Sequence, residues 1–416
     1  MANRLITVLC LGTMAAMFGC ADPGSSSGPD TAGLAMSMPV VTTHVVEAPT
    51  HSFVKNWGVA LDLEGKTTLK ALYLRPGRLF AYTASNDVYG LDRATGAQMF
   101  AATTVVPSGE KLWAPIVLKD YMVFPSAFTI EVYSIKGDLL KSQQLDDFSI
   151  TGNGCGSDGA FIYIGAVMLG ADPSAAGRLA CIDVSDAYVP LNWSLVTEGV
   201  TGSPAFMGST VYVGGQDGGV RAVDSNRGTA WALTTNDMFK TDNAIIGDVS
   251  VDAASVYVAS MDTRLYCIDR MSGKLRWQYF AQVPLPDGPV VTGTNVYLKV
   301  PDVGIVAISK TSGGAIRKPA WTQPDARQFL AEDDRNAYFR MNDNSLLGAN
   351  KLTGETVFQS APTNFSVYAS NTSKEGTFYA GTDDGHVFLI KPVLVPGVFG
   401  EVIPPRSMDR SPAAGQ

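Results

Sequence analysis

VYVASMDTRLYCIDRMSGKLRW, residues 256–277, decides how this chain is read. VYVA (256–259) alternates around β-branched and aromatic residues, the pattern of a short strand. MDTR (261–264) is an Asp-bearing hairpin turn, LYCID (265–269) returns as a second strand, and a loop closed by Gly273 leads into a third strand carrying Trp277. One such unit cannot bury both faces of its own small sheet, so it requires neighbours.

Those neighbours recur along the chain. The strand pattern returns as LFAY (79–82), YMVF (121–124), FIYI (161–164), VYVG (211–214), VYLK (296–299), AYFR (337–340) and TFYA (377–380). Turns follow most of them: SND (85–87), QDGG (216–219), NDNS (342–345) and TDDG (382–385). The second strand then ends in Asp or a polar substitute and the chain turns over three residues to a glycine. LDRATG runs from Asp92 to Gly96, VDSNRG from Asp224 to Gly228 and IDRMSG from Asp269 to Gly273, with relaxed versions ending at Gly313 and Gly354. Glycine accepts the backbone conformation that ends such a turn at little steric cost.

The strand after the turn presents a large aromatic: Phe100, Trp231, Trp277 or Phe358, with Trp193 in the same post in the third copy. Spaced aromatics of this kind read as wedges between sheets. A small residue stands two places before the turn start in most copies: Gly90, Cys181, Ala222, Cys267, Ala307 and Gly348. Cys181 and Cys267 therefore read as small buried hydrophobes. Cys155, in GNGCGSDG, lacks that explanation, and a Cys155–Cys181 disulfide stays open as an alternative.

A further short strand is expected before each hairpin, as in APIV (114–117), SPAF (203–206) and GPVV (288–291). Four antiparallel strands repeated eight times describe an all-β, eight-bladed β-propeller spanning 50–392. The eighth copy lacks an outer strand of its own. KNWGVALDL (55–63), with Trp57 as its aromatic, supplies the missing one, so the N-terminal strand is expected to close the last blade and remove the free edges. Residues 393–416 read as a loosely packed tail, and the longer segments 166–178 and 234–244 as rim insertions.

Composition supports a large β core with a modestly charged skin: 46% of residues are apolar and 17% charged. The net charge of −8 and the absence of a basic cluster argue against nucleic acid as a partner. His44, His51 and His386 are the only histidines, and no HExxH, GxSxG or phosphate loop is present. Calcium needs six to eight converging oxygens, whereas the acids here fall singly in hairpin turns. No catalytic residue, metal or cofactor is assigned.

The N-terminus carries Arg4, an apolar run over 5–18, then Gly19 and Cys20, followed by ADPGSSSGPDTAG. This resembles a bacterial lipoprotein signal over 1–19, with Cys20 as the acylated residue and 20–49 as a flexible tether. An ordinary secretory signal and a retained anchor are the alternatives. Ala21 after the cysteine favours outer-membrane sorting facing the periplasm, with surface exposure and the inner membrane left open.

The order strand, small residue, Asp, Gly, Trp, best preserved at 211–231 and 256–277, resembles the pyrroloquinoline-quinone-type propeller repeats. With the leader, the arrangement resembles the BamB family of outer-membrane lipoproteins. That resemblance implies a monomeric, non-catalytic scaffold for envelope proteins, with a β-barrel assembly subunit as the candidate partner and the lipid as the sole membrane attachment. Enzyme members of the wider group hold the quinone against a ring of two adjacent cysteines, a pair this chain lacks. A quinoprotein-like oxidoreductase, a sugar-active enzyme and a ligand-sensing propeller are the competing readings.

Overall fold

A computed structural model describes residues 50–63, 67–171, 177–185, 191–196, 199, 202–225 and 238–395. All of them belong to one compact unit, Glu47–Gln416. Among the described residues the elements are strands, gathered into eight antiparallel sheets that form an eight-bladed β-propeller. Blades 1 to 7 follow the chain over 69–103, 116–144, 148–196, 205–240, 250–280, 290–323 and 326–359. Cys20, Gly228 and Trp231 lie outside the described residues.

The eighth blade is built from both ends of the chain. Val367–Ala369, Phe378–Gly381 and His386–Val395 supply its inner three strands, and Thr50–Ala60 pairs antiparallel along the last of them, with Trp57 opposite Leu389. The last strand runs to Val395, three residues further than the repeat pattern indicates. Blade 5 has an addition: Ile316–Arg317 joins its outer strand in parallel, through Gln278 and Tyr279.

The hairpin turns take the backbone their residues allow. Asn86, Thr263 and Asn344 lie at φ of 66°, 77° and 65°, beside Gly218 and Gly385 at 76° and 89°. In the Gly-closed turns the leading side chain substitutes for a backbone acceptor. Asp92 Oδ1 accepts from the amides of Ala94 and Thr95, Asp269 Oδ1 from those of Met271 and Ser272, and Asn350 Oδ1 from those of Leu352 and Thr353.

Two constraints explain the small residue and the glycine. Within a blade, the small residue faces the aromatic across the register: Gly90 pairs with Phe100, Cys267 with Trp277, Ala307 with Trp321 and Gly348 with Phe358, and the backbones of Cys181 and Trp193 pair in the same register. A Cβ at Gly90 would stand 2.0 Å from Phe100 Cε1. Between blades, the same aromatic presses on the next turn. A Cβ on Gly96, already at φ +75°, would meet Trp57 Cε3 at 2.5 Å, and one on Gly354 would meet Trp321 Cγ at 2.6 Å. Trp57 thus joins blade 8 to blade 1, and Trp321 joins blade 6 to blade 7.

Closure by an aromatic wedge has a measurable consequence. Trp57→Ala should lower the free energy of unfolding by roughly 3–5 kcal/mol, the range for emptying a large aromatic site. Gly96→Ala should lose at least about 1–2 kcal/mol from the left-handed backbone alone. Urea unfolding followed by fluorescence and circular dichroism should show each loss as a shift of one shared transition. A separate early phase confined to blade 8 would contradict closure as the source of the ring's cooperativity.

Candidate functional site

Three sequence stretches begin inner strands with a glycine that has no room for a side chain. A Cβ on Gly202 would lie 2.2 Å from Gly247 O, one on Gly247 2.5 Å from Gly288 N, and one on Gly288 2.3 Å from Asp248 O. The segments that lead into the inner strands of blades 4, 5 and 6 therefore lie backbone against backbone, and Asp248 Oδ1 accepts from Ser203 N at 2.7 Å across that contact. Lys111, whose ammonium stands 4.0 Å over the Trp113 ring, is held below the ordinary lysine value by burial and by the charge of Lys70, with Asp248 opposing.

Blades 6 and 7 separate enough to leave a cavity of about 380 Å³. Its lining mixes Tyr297 and Phe329 with the charged groups Asp287, Lys299, Arg327 and Arg340. The two aromatic rings stack at 4.6 Å and 22°. Lys299 Nζ lies 3.2 Å from Asp287 Oδ2. Arg340 stands 4.6 Å over the Tyr368 ring and donates from Nε to Asn344 Oδ1 at 2.7 Å. A second cavity, about 450 Å³, adjoins it and shares Lys299 and Arg327.

Beside this opening the blade 6–7 contact is polar and buried. Tyr297 donates to Glu332 Oε2 at 2.9 Å, Lys351 Nζ lies 4.0 Å from Glu332 Oε1, and Asn295 Nδ2 and Trp321 Nε1 both donate to Lys351 O. Between blades 1 and 2, Glu131 is fully buried and accepts from Val105 N at 2.7 Å and from the Tyr133 hydroxyl at 2.8 Å. Burial pushes the Glu131 carboxyl above its ordinary value of 4.5 in spite of those two donors.

The residues singled out in the sequence fall on the ring's joints rather than in this cavity. Asp92 and Asp269 cap turns, and Gly96, Gly273, Gly313 and Gly354 close them at positive φ. Asp224 Oδ2 accepts from Ser209 Oγ. Cys181 and Cys267 are buried free thiols, raised to about 11 by burial. Cys155 pairs through its backbone with Ile164. His386 sits in the exposed last hairpin, with Nδ1 3.1 Å from Asp384 Oδ1.

Sequence reasoning missed Trp321 because it stands eight residues after Gly313 rather than four. The four-residue offset places Arg317 in the expected aromatic post, where its guanidinium lies 5.2 Å over Trp277. It also missed an Asp five residues before a strand tyrosine. Asp158, Asp252 and Asp333 cap their own turns and accept the hydroxyls of Tyr163, Tyr257 and Tyr338. The spacing was readable in SDGAFIY, VDAASVY and DDRNAY.

Sheet count, closure and repeat chemistry define this molecule as an eight-bladed β-propeller. The family model described as outer membrane protein assembly factor BamB matches residues 216–393. Among solved structures, BamB from Moraxella catarrhalis is similar at a TM-score of 0.60 and 15% identity, over 82% of this chain and 98% of that one. The quinohemoprotein alcohol dehydrogenase from Comamonas testosteroni gives 0.58 and 13%, over 88% and 78%. The computationally designed Ika8 protein gives 0.57 and 16%, over 79% and 97%. At these identities the likeness is one of fold. No curated protein matches the chain.

The quinone arrangement expected of the enzyme members does not fit these residues. The chain has no adjacent cysteines, and its two described thiols sit in separate blades opposite tryptophan positions. Among the described residues no three His, Cys, Asp or Glu side chains gather as a metal site.

Two tests follow from the buried carboxylates. Lys351→Met leaves Glu332 buried beside Tyr297 alone and should cost about 3–5 kcal/mol, with Glu332→Gln in the same chain restoring most of it; denaturant midpoints measure both. For Glu131 the folded state binds the proton more tightly than the unfolded chain. Its contribution therefore favours folding increasingly as pH falls from neutral through the folded pKa towards 4.5. Glu131→Gln should flatten that part of the stability profile and raise stability at pH 7, as read from urea titrations across pH.

Proposed function

We propose that this protein is a lipid-anchored, non-catalytic scaffold of the cell envelope that binds other proteins through the propeller surface, with assembly of outer-membrane β-barrels as the process it assists. The observation that carries the reading is the position of the closing strand. Thr50–Ala60, which completes blade 8, begins directly after the tether that follows Cys20. Only residues 21–49, outside the described part of the chain, separate Cys20 from this strand, so the propeller works close to the membrane.

The resemblance in fold to BamB supports this reading, as does the chemistry of the surface. On blade 2, Ile135, Leu139 and Leu140 expose 42%, 46% and 55% of their area at the outer strand and the turn before it. Apolar side chains grouped at an edge suit a protein partner better than a small polar substrate. Two or three acyl chains on Cys20 give long-lived attachment, which a single chain does not.

Cys20→Ser should move the protein from the membrane fraction to the soluble envelope fraction and abolish incorporation of labelled palmitate. Crosslinking followed by affinity capture from envelope membranes should recover a β-barrel assembly subunit, and Leu139→Asp with Leu140→Asp should reduce its yield several-fold. Recovery of no envelope protein, together with a quinone absorption band in the purified protein, would replace the scaffold with an oxidoreductase.

A further inference from the structure

We propose that the cavity between blades 6 and 7 is a binding site for an organic carboxylate, held by Arg327 and Arg340 against an apolar wall. This goes beyond the scaffold reading and does not depend on it. The first argument is charge. The lining brings three cations, Lys299, Arg327 and Arg340, to one acid, Asp287, in a chain whose net charge is −8. Asp287 is already engaged by Lys299 at 3.2 Å, and among the described residues neither guanidinium has a carboxylate within ion-pair distance. Like charges brought together without a counter-ion cost free energy that an anion recovers.

The second argument is geometry. Arg340 is held at one edge by the bond from Nε to Asn344 Oδ1 and on one face by the Tyr368 ring. Among the described residues its terminal nitrogens have no hydrogen-bond or ion-pair partner. A held guanidinium presents two parallel N–H donors, the arrangement that binds a carboxylate bidentately. Burial pushes Arg340 below the ordinary arginine value, with Tyr368 opposing and the neighbouring Arg327 charge adding to the shift. The neutral donors are engaged already: Ser370 Oγ donates to Phe329 O at 2.6 Å, and Gln328 Nε2 reaches Ser370 Oγ at 3.4 Å.

The third argument is size and lining. A cavity of about 380 Å³ is roughly an order of magnitude larger than the volume one water takes in the liquid. The stacked Tyr297 and Phe329 rings, with Val290 and Ile305, supply the apolar part of the lining. The ligand therefore carries a carboxylate head on an apolar body. A free organic acid and an acidic side chain beside an apolar one on a peptide share that chemistry.

Isothermal titration of the full-length protein in detergent tests the assignment, using 3-phenylpropionate, its neutral amide, inorganic phosphate and an acetylated Phe-Glu peptide amide. The expected result is saturable one-to-one binding of 3-phenylpropionate, at least tenfold weaker binding of the amide, and a tenfold or greater loss in both Arg327→Gln and Arg340→Lys. Arg327 is exposed, so Arg327→Gln folds even where Arg340→Lys disturbs the Tyr368 stack. Tighter binding of the peptide than of the free acid assigns a protein side chain as the source, and the reverse order assigns a free acid. Phosphate binding as well as 3-phenylpropionate, meaning an adventitious ion only, would overturn the proposal. So would equal binding of the amide, no saturable binding, or affinity unchanged in Arg327→Gln.

Discussion

The aromatic ring that Trp57, Phe100 and Trp321 each press onto the glycine turn of the next blade is the contact on which the rest of this propeller depends. At Trp57 and Gly96 the contact joins the last blade to the first, and it works only because the turn residue has no side chain. A closed ring has no terminal blade to fray, so each wedge stabilises its neighbours as well as itself. The requirement acts twice on the same ring: a small residue must face it within the blade, and a glycine must face it across the gap. That is why Gly, Ala and Cys share one slot in the repeat, and why two buried thiols need no chemical role.

Polar contacts divide between local and long-range work. The Asp side chains that cap turns act within a few residues and stay near the surface. The buried carboxylates instead connect adjacent blades: Glu131 accepts from the Val105 amide that follows blade 1, and Glu332 accepts from the Tyr297 hydroxyl of blade 6. Each cost of burying a carboxylate is offset only when its neighbour supplies a donor, so these pairs penalise a ring assembled in the wrong register. They lie beside blade junctions where the wedge is a phenylalanine, as at Phe100, or displaced along the chain, as at Trp321.

The displacement changes how blade 6 meets its neighbours. Four residues inserted after Gly313 send Ile316–Arg317 back to blade 5 and move the wedge to Trp321. Blade 6 thus holds its two neighbours through different residues, Arg317 against Trp277 on one side and Trp321 against Gly354 on the other. The cations that line the opening, Lys299, Arg327 and Arg340, belong to strands of two blades and come together only in the assembled ring.

The sequence alone determined the blade. Alternation in VYVA, turn residues with access to positive φ, and an Asp-to-Gly loop ending before an aromatic are all local, so the strand order and the eight-fold repeat could be read directly. The complementary ends were legible for the same reason: copy eight lacks an outer strand and 55–63 has the shape of one. Tertiary structure decided what touches across blades. Trp321 as a wedge, Arg317 over Trp277, the Glu332–Lys351 pair and the paired arginines of the cavity join residues 13 to 40 positions apart. No local periodicity encodes such pairs, because which side chains meet is set by the packing of one folded sheet against the next.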